Sequence, residues 1–129
     1  MSKPRLKDET VAETLPGVTG QDRIERLVSA ISDVKKGGRL SPRTIKLLKS
    51  GTAKMAQKVI EEAAELGIEA VQGNRRNLVD ESVDLLYNLA ILWCDQGVHP
   101  NEVWAEMDRR ELMLGMAEKL PKPGTTDES

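Results

Sequence analysis

Between residues 21 and 115, apolar side chains recur every three or four positions, which is the spacing of one face of an α-helix. No stretch of useful length alternates apolar and polar residues as a half-buried strand does. The pattern is interrupted at Gly37-Gly38, Gly73-Asn74 and Gly97. Because glycine and asparagine favour helix ends, the sequence predicts an all-α domain over 21–115, built as a helical bundle.

The start and end signals divide this domain into five helices. Ser41-Pro42 is typical of a helix start, since serine caps the first turn and proline loses no hydrogen bond there. We expect helices over about 21–35, 41–50, 52–72 and 76–96, with a last one opening at His99-Pro100.

The helix expected over 76–96 is apolar around half of its circumference. Its apolar residues include Leu78, Val79, Leu85, Leu86, Leu89, Leu92 and Trp93. Such a helix needs more than one neighbour to bury it. We therefore predict a homodimer or a dimer-based homo-oligomer, in which two subunits complete a four-helix core. The alternative is a monomeric bundle closed by the first helix.

The segments outside the bundle lack any apolar period. Residues 1–20 are expected to form a mobile arm and residues 116–129 a flexible tail. The formal net charge of −2 favours neither nucleic acid nor a membrane as a partner. With a single cysteine, Cys94, no run of about 20 apolar residues and no apolar leader, the chain is expected to be cytoplasmic.

Acidic residues gather on the two longest predicted helices, at Glu61, Glu62, Glu65, Glu81 and Asp84. Glu62 and Glu65 stand one turn apart on one helix, and Glu81 and Asp84 do the same on the next. Both pairs border the apolar stripe, so antiparallel packing would bring them together. Oxygen ligands in this number suit Mg²⁺, with Mn²⁺ as an alternative ion. Taken singly, however, each pair is typical of a solvated helix face.

Three segments carry a family resemblance: TIKLLKSG, KMAQKVIEEAAELGIEAVQGNRRNLVDESVDLLYNLAILW and VWAEMDRRE. Together they resemble the phosphoribosyl-ATP pyrophosphohydrolases of histidine biosynthesis. They are more distantly similar to the all-α nucleoside triphosphate pyrophosphohydrolases of the MazG and dimeric dUTPase-like types, which share the split ExxE…ExxD motif.

The resemblance implies Mg²⁺-dependent hydrolysis of phosphoribosyl-ATP to phosphoribosyl-AMP and pyrophosphate by an α-helical dimer. It assigns Glu62, Glu65, Glu81 and Asp84 to the metal, and Glu61 either to the metal or to the attacking water. A carboxylate that is free of the metal can act as general base.

Basic residues are expected to hold the phosphates. The candidates are Lys54 and Lys58, beside the acids, and Arg75 and Arg76 at the following turn. For the arginines a solvated turn is an equal alternative.

Two positions depart from the family pattern. Asn88 stands where histidine is common, and Ser41–Thr44 lacks the usual Ser-aromatic-Thr run. A pyrophosphohydrolase that removes other (deoxy)nucleoside triphosphates therefore stays open as an alternative, as does a catalytically silent nucleotide-binding dimer.

Overall fold

The computed structural model describes residues 12–34 and 40–119. Within these ranges the chain forms helices and no strand: α1 (Gly20–Val34), α2 (Pro42–Lys49), α3 (Thr52–Gln72), α4 (Arg75–Gln96) and α5 (Pro100–Lys119). The predicted all-α fold is confirmed. None of the described helices is long and apolar enough to cross a membrane.

The sequence signals act locally as expected at the helix ends. Ser41 accepts a hydrogen bond from the Thr44 N–H at the start of α2. Gly73 ends α3 with φ 74° and Gly97 ends α4 with φ 68°. This left-handed conformation is accessible to glycine without a Cβ penalty. Only Gly73 and Asn74 separate α3 from α4, so the two long helices turn back on each other.

The buried core joins three helices. Ile31 of α1, Met55 of α3, and Ala90 and Ile91 of α4 are almost completely buried. Leu47 and Leu48 of α2 pack against them. Met55 lies at the start of α3 and Ile91 near the end of α4, so this core occupies one end of the helix pair. The fifth helix contacts α4 through Trp104, whose ring meets Trp93 edge-on at 6.1 Å between centroids.

Large aliphatic side chains of α3 and α4 outside this core are exposed to solvent. We call this set the open apolar face; its residues are Ile60, Ile68, Val71, Val79, Val83 and Leu86. Ile60 is 68% exposed and Val71 is 89% exposed. Packing within the described chain therefore does not cover α4 on all its apolar sides, as the sequence predicted.

Two of the expected domain boundaries fall within the described residues. Residues 12–19 of the expected N-terminal arm lie outside any helix, and α1 begins at Gly20. The expected domain end at residue 115 falls inside α5, which continues to Lys119. The remaining parts of the predicted arm and tail, 1–11 and 120–129, and the glycine break at 37–38 lie outside the described residues.

Candidate metal centre and active site

Three carboxylates meet where α3 and α4 lie side by side. Glu62 on α3 and Glu81 and Asp84 on α4 each bring one oxygen within 4.8 Å of the others. The one-turn spacing of Glu81 and Asp84 places both on the side of α4 that faces α3. We call these three residues the acid cluster.

The acid cluster is short of hydrogen-bond donors. Glu62 is only 7% exposed. One oxygen of Glu62 (Oε1) and one of Glu81 (Oε1) are buried without a hydrogen-bond partner among the described residues. The other Glu62 oxygen lies 3.4 Å from Lys58 Nζ, one turn earlier on α3. Because a buried carboxylate oxygen without a donor is costly, this arrangement fits a positive ion between α3 and α4.

The neighbouring carboxylates change the pKa of Glu81. A hydrogen bond with Glu62, burial, and the charges of Glu65, Glu62 and Asp84 together raise the pKa of Glu81 from 4.5 to about 7. Like charges that share a site disfavour ionisation. Without a cation, Glu81 therefore keeps a proton at pH values where an ordinary glutamate has lost it.

The donor set suits a hard divalent cation. It offers carboxylate oxygens alone, and no sulfur or imidazole nitrogen belongs to it. Magnesium takes oxygen ligands and usually keeps several waters when one or two carboxylates bind it. Glu62, Glu81 and Asp84 are therefore the residues that would hold the ion.

The other two predicted acids lie outside the cluster. Glu65 is exposed and close enough to Glu81 for its charge to raise the Glu81 pKa. Glu61 is exposed, and its Oε2 accepts a hydrogen bond of 2.8 Å from Gln57 Nε2, one turn earlier. The Glu61 side chain therefore lies on a different side of α3 from Glu62 and does not enter the acid cluster.

A cavity of about 450 Å³ opens beside the acid cluster. Glu62 and Asp84 form part of its wall, and Lys54 and Lys58 line it from α3. The volume lies in the range of small-molecule sites. The structure therefore brings the two predicted lysines together with two of the predicted acids around one space.

The predicted arginines lie elsewhere. Arg75 and Arg76 are exposed at the start of α4 and do not line the cavity. Arg76 Nη2 lies 3.4 Å from Asp80 Oδ1 on the solvent side of the helix. Their assignment to the phosphates stays a prediction.

Two cations of this cavity were missed by the sequence analysis. Arg43 and Lys46 of α2 line it together with the lysines of α3. They are three residues apart and so share one side of α2. Their spacing alone could have suggested a basic face, but nothing in the sequence said which helix that face would meet.

A hydroxyl network fixes α2 against α4. Thr44 is 3% exposed, and its hydroxyl makes hydrogen bonds with Ser41 Oγ, at 3.0 Å, and with the hydroxyl of Tyr87. Tyr87 follows Asp84 by three residues, about one helical turn. The network therefore holds the wall formed by α2 at a set position relative to the acid cluster.

Asn88 also lines the cavity, one turn beyond Asp84. It is buried, and its Nδ2 donates a hydrogen bond of 2.8 Å to the Asp84 carbonyl oxygen. The amide is therefore anchored to α4 itself beside the predicted metal ligand.

Comparison with known proteins agrees with this geometry. Residues 31–111, more than half of the chain, match the family described as phosphoribosyl-ATP pyrophosphohydrolase. The chain belongs to this family. The resemblance drawn from the motifs is thereby confirmed.

The chain is also similar in sequence to individual proteins that are named phosphoribosyl-ATP pyrophosphatase. Phosphoribosyl-ATP pyrophosphatase 2 of Rhodopseudomonas palustris is 50% identical over 101 residues, which cover 78% of this chain and 77% of the relative. The protein of the same name from Bradyrhizobium diazoefficiens is also 50% identical over 101 residues, with 78% and 75% covered. Phosphoribosyl-ATP pyrophosphatase of Azospirillum brasilense is 45% identical over 96 residues, with 74% and 86% covered. In this member of the phosphoribosyl-ATP pyrophosphohydrolase family, the matched segment contains the whole acid cluster and cavity.

Proposed function

We propose that this chain hydrolyses the α–β phosphate linkage of phosphoribosyl-ATP, the second step of histidine biosynthesis, with Mg²⁺ as its cofactor. The products are phosphoribosyl-AMP and pyrophosphate. The observation that carries the proposal is the meeting of Glu62, Glu81 and Asp84 beside a cavity lined with lysines, in a chain of this family.

The carboxylates of Glu62, Glu81 and Asp84 would hold the ion, and Glu65, whose charge acts on Glu81, is proposed as a further ligand when the site is loaded. A bound Mg²⁺ neutralises charge on the polyphosphate and makes a bound water more acidic. Deprotonation of Glu81 must accompany loading, because the anionic carboxylate is the ligand. Mn²⁺, which also prefers oxygen ligands, would substitute.

Lysine side chains would orient the polyphosphate. Lys58 is held at the cluster by its ion pair with Glu62, and Lys54 stands one turn earlier on the same wall. Fixed positive charges near a polyphosphate stabilise the charge that develops during phosphoryl transfer. Arg75 and Arg76, at the start of α4, are proposed as supplementary cations outside the cavity wall.

We propose Glu61 as the residue that positions and deprotonates the attacking water. The water oxygen forms the new bond to phosphorus, the bridging oxygen leaves with its electron pair on pyrophosphate, and the water proton passes to the carboxylate. Glu61 now accepts a hydrogen bond from Gln57, so it must exchange that bond for one from water and turn toward its neighbour Glu62.

The functional unit is proposed to be a homodimer. The open apolar face exposes six large aliphatic side chains on α3 and α4. Several large apolar side chains exposed on neighbouring helices are typical of an interaction site in soluble proteins. Packing against the same face of a second copy would bury both in one four-helix core.

One observation favours a second candidate, a pyrophosphohydrolase acting on other (deoxy)nucleoside triphosphates. Asn88, which lines the cavity, stands where histidine is common in the family. The third hypothesis is a catalytically silent nucleotide-binding dimer. The presence of all five acids argues against it.

The deciding experiment measures pyrophosphate release from phosphoribosyl-ATP and from a panel of nucleoside triphosphates, with Mg²⁺ present. The proposal requires phosphoribosyl-ATP to have the highest kcat/KM. Cleavage of a triphosphate with phosphoribosyl-ATP left intact would establish the second candidate instead. If no substrate is cleaved and nucleotide still binds, the silent dimer is the correct description.

A further inference from the structure

The cavity beside the acid cluster has a second cationic wall. Arg43 and Lys46 of α2 line it, on a different helix from Lys54 and Lys58. Within the described ranges, Arg43, Lys46 and Lys54 form no ion pair, whereas Lys58 is paired with Glu62. Neither cation of the α2 wall is therefore held in an ion pair by a carboxylate of the described chain.

The α2 wall is fixed in place. Thr44 lies between Arg43 and Lys46 in sequence and is buried, with its hydroxyl bonded to Ser41 and Tyr87. Pro42 and the Ser41 cap further restrict the first turn of the helix. Because the backbone carrying the two cations is anchored to α4, they can bind a ligand without ordering the helix first.

The cations of the cavity fall into two groups on two helices. Lys58 sits at the acid cluster, where the metal-bound phosphates would lie, and Lys54 adds a charge one turn away. Arg43 and Lys46 are added on another helix of the same cavity. Guanidinium and ammonium groups that line a cavity without acidic partners typically bind phosphate oxygens.

The proposed substrate carries two separate anionic groups. Phosphoribosyl-ATP has a triphosphate on one ribose and a phosphate monoester on a second ribose, attached to the other side of the adenine ring. An ordinary nucleoside triphosphate lacks the second group. We propose that Arg43 and Lys46 bind this phosphate monoester and thereby select phosphoribosyl-ATP over ordinary triphosphates, an inference that rests on the proposed function.

The selectivity test compares two substrates and three proteins. Hydrolysis of phosphoribosyl-ATP and of ATP is measured for the wild type, for Arg43→Gln/Lys46→Gln, and for Lys49→Gln. Lys49 is an exposed lysine of the same helix that does not line this cavity. It therefore controls for loss of positive charge on α2.

The double variant should raise KM for phosphoribosyl-ATP by about tenfold or more, the cost of at least one lost charge-assisted hydrogen bond. Its kcat should change by less than about twofold, because a contact far from the reacting bond binds ground state and transition state alike. ATP hydrolysis by the double variant and both reactions of Lys49→Gln should stay within about twofold of wild type.

An equal loss on both substrates would overturn the inference, since it would place Arg43 and Lys46 on the triphosphate. Unchanged kinetics with phosphoribosyl-ATP would overturn it as well. The wild-type reaction tests the proposed function separately: absence of phosphoribosyl-ATP cleavage by the wild type would refute that function before any variant is compared.

A binding measurement adds a readout besides activity. Calorimetry with ribose 5-phosphate in EDTA presents the monoester alone. Wild type and Lys49→Gln should bind it with equal affinity, and Arg43→Gln/Lys46→Gln should bind it about tenfold more weakly. Equal binding by all three proteins would count against the α2 wall as the monoester site.

Discussion

The carboxylates of Glu62 and Glu81 face each other between α3 and α4, and each keeps one buried oxygen for which the described chain supplies no donor. Neither helix alone creates this contact; it follows from the way the two helices pack. A proton on Glu81 relieves the repulsion at low pH, and the hydrogen bond with Glu62, burial and the neighbouring charges raise the pKa of Glu81 to about 7. A divalent cation would relieve it at higher pH and leave both carboxylates ionised.

We predict that the metal-free protein loses stability as pH rises through neutrality. The folded-state pKa of Glu81 is about 7, above its ordinary value of 4.5, so the folded protein holds this proton more tightly than the unfolded chain. That stabilisation is complete below pH 4.5 and is lost as pH rises through about 7. Urea unfolding in EDTA between about pH 5 and pH 8 measures it.

Glu81→Gln is the matched control for this pH dependence, because the amide imitates the protonated acid at every pH. Its unfolding midpoint should fall less between the two pH values than that of wild type. Saturating Mg²⁺ should reduce the fall in wild type and have little effect on the variant. The same pH dependence in both proteins would show that Glu81 is not its source.

Glu62→Gln should abolish turnover while the helical fold stays intact. The substitution removes a proposed metal ligand without changing side-chain volume, and loss of one such electrostatic contributor costs about a hundredfold or more in kcat. Steady-state pyrophosphate release and circular dichroism measure the two effects. Turnover at the wild-type level would remove the metal mechanism proposed for the acid cluster.

Glu61→Gln should separate chemistry from metal binding. Because Glu61 lies outside the acid cluster and contacts Gln57, its loss should lower kcat while the Mg²⁺ affinity stays within about threefold of wild type. Titration of Mg²⁺ in the activity assay and by calorimetry gives both quantities. A large fall in Mg²⁺ affinity would instead make Glu61 a metal ligand.

Ile60→Lys/Ile68→Lys should produce monomers. Both side chains belong to the open apolar face, and two charges there would have to be buried without partners in the proposed dimer. Light scattering after gel filtration gives the mass, with Gln72→Lys as the control because it adds charge at an exposed polar position of the same helix. A wild type that is monomeric at micromolar concentration contradicts the dimer.

Thr44→Val should destabilise the fold by about 1 kcal/mol, since it removes, at a buried position, the hydroxyl that bonds both Ser41 and Tyr87. Thr52→Val is the matched comparison. The Thr52 hydroxyl donates a hydrogen bond of 2.7 Å to Asp95 Oδ2, but this bond is exposed, so water can replace the lost hydroxyl. The cost of Thr52→Val should be about half or less. Denaturant unfolding of both variants at one pH measures the difference, and equal costs would contradict the burial argument.

Much of the fold could be predicted because its signals are local. The span of α3 was predicted from the apolar period and the glycine at its end, and Thr52–Gln72 is the helix observed. The spacing of Glu81 and Asp84 and their position beside the packing stripe predicted that they would meet the acidic pair of the preceding helix. The structure brings Glu62 of that pair to them, whereas Glu65 lies outside the cluster.

The rest of the candidate site depends on long-range packing, which no local period encodes. The position of α2 is set by the contact of Thr44 with Tyr87, 43 residues apart. The sequence therefore could not predict that Arg43 and Lys46 line the cavity. Glu61 and Glu62 are adjacent in sequence, but a step of about 100° around the helix separates their directions. Only the packing shows which of them faces α4.

The placement of the core at one end of the α3–α4 pair has a consequence for hydrogen exchange. Around Ala90 and Ile91, α4 is enclosed by α1 and α3, and opening there requires disruption of the core. Around Val79 and Val83 the same helix borders the open apolar face, so its amides exchange through smaller local openings in an isolated subunit. The proposed metal ligands Glu81 and Asp84 lie in this less protected half, where association and ion binding would each slow exchange.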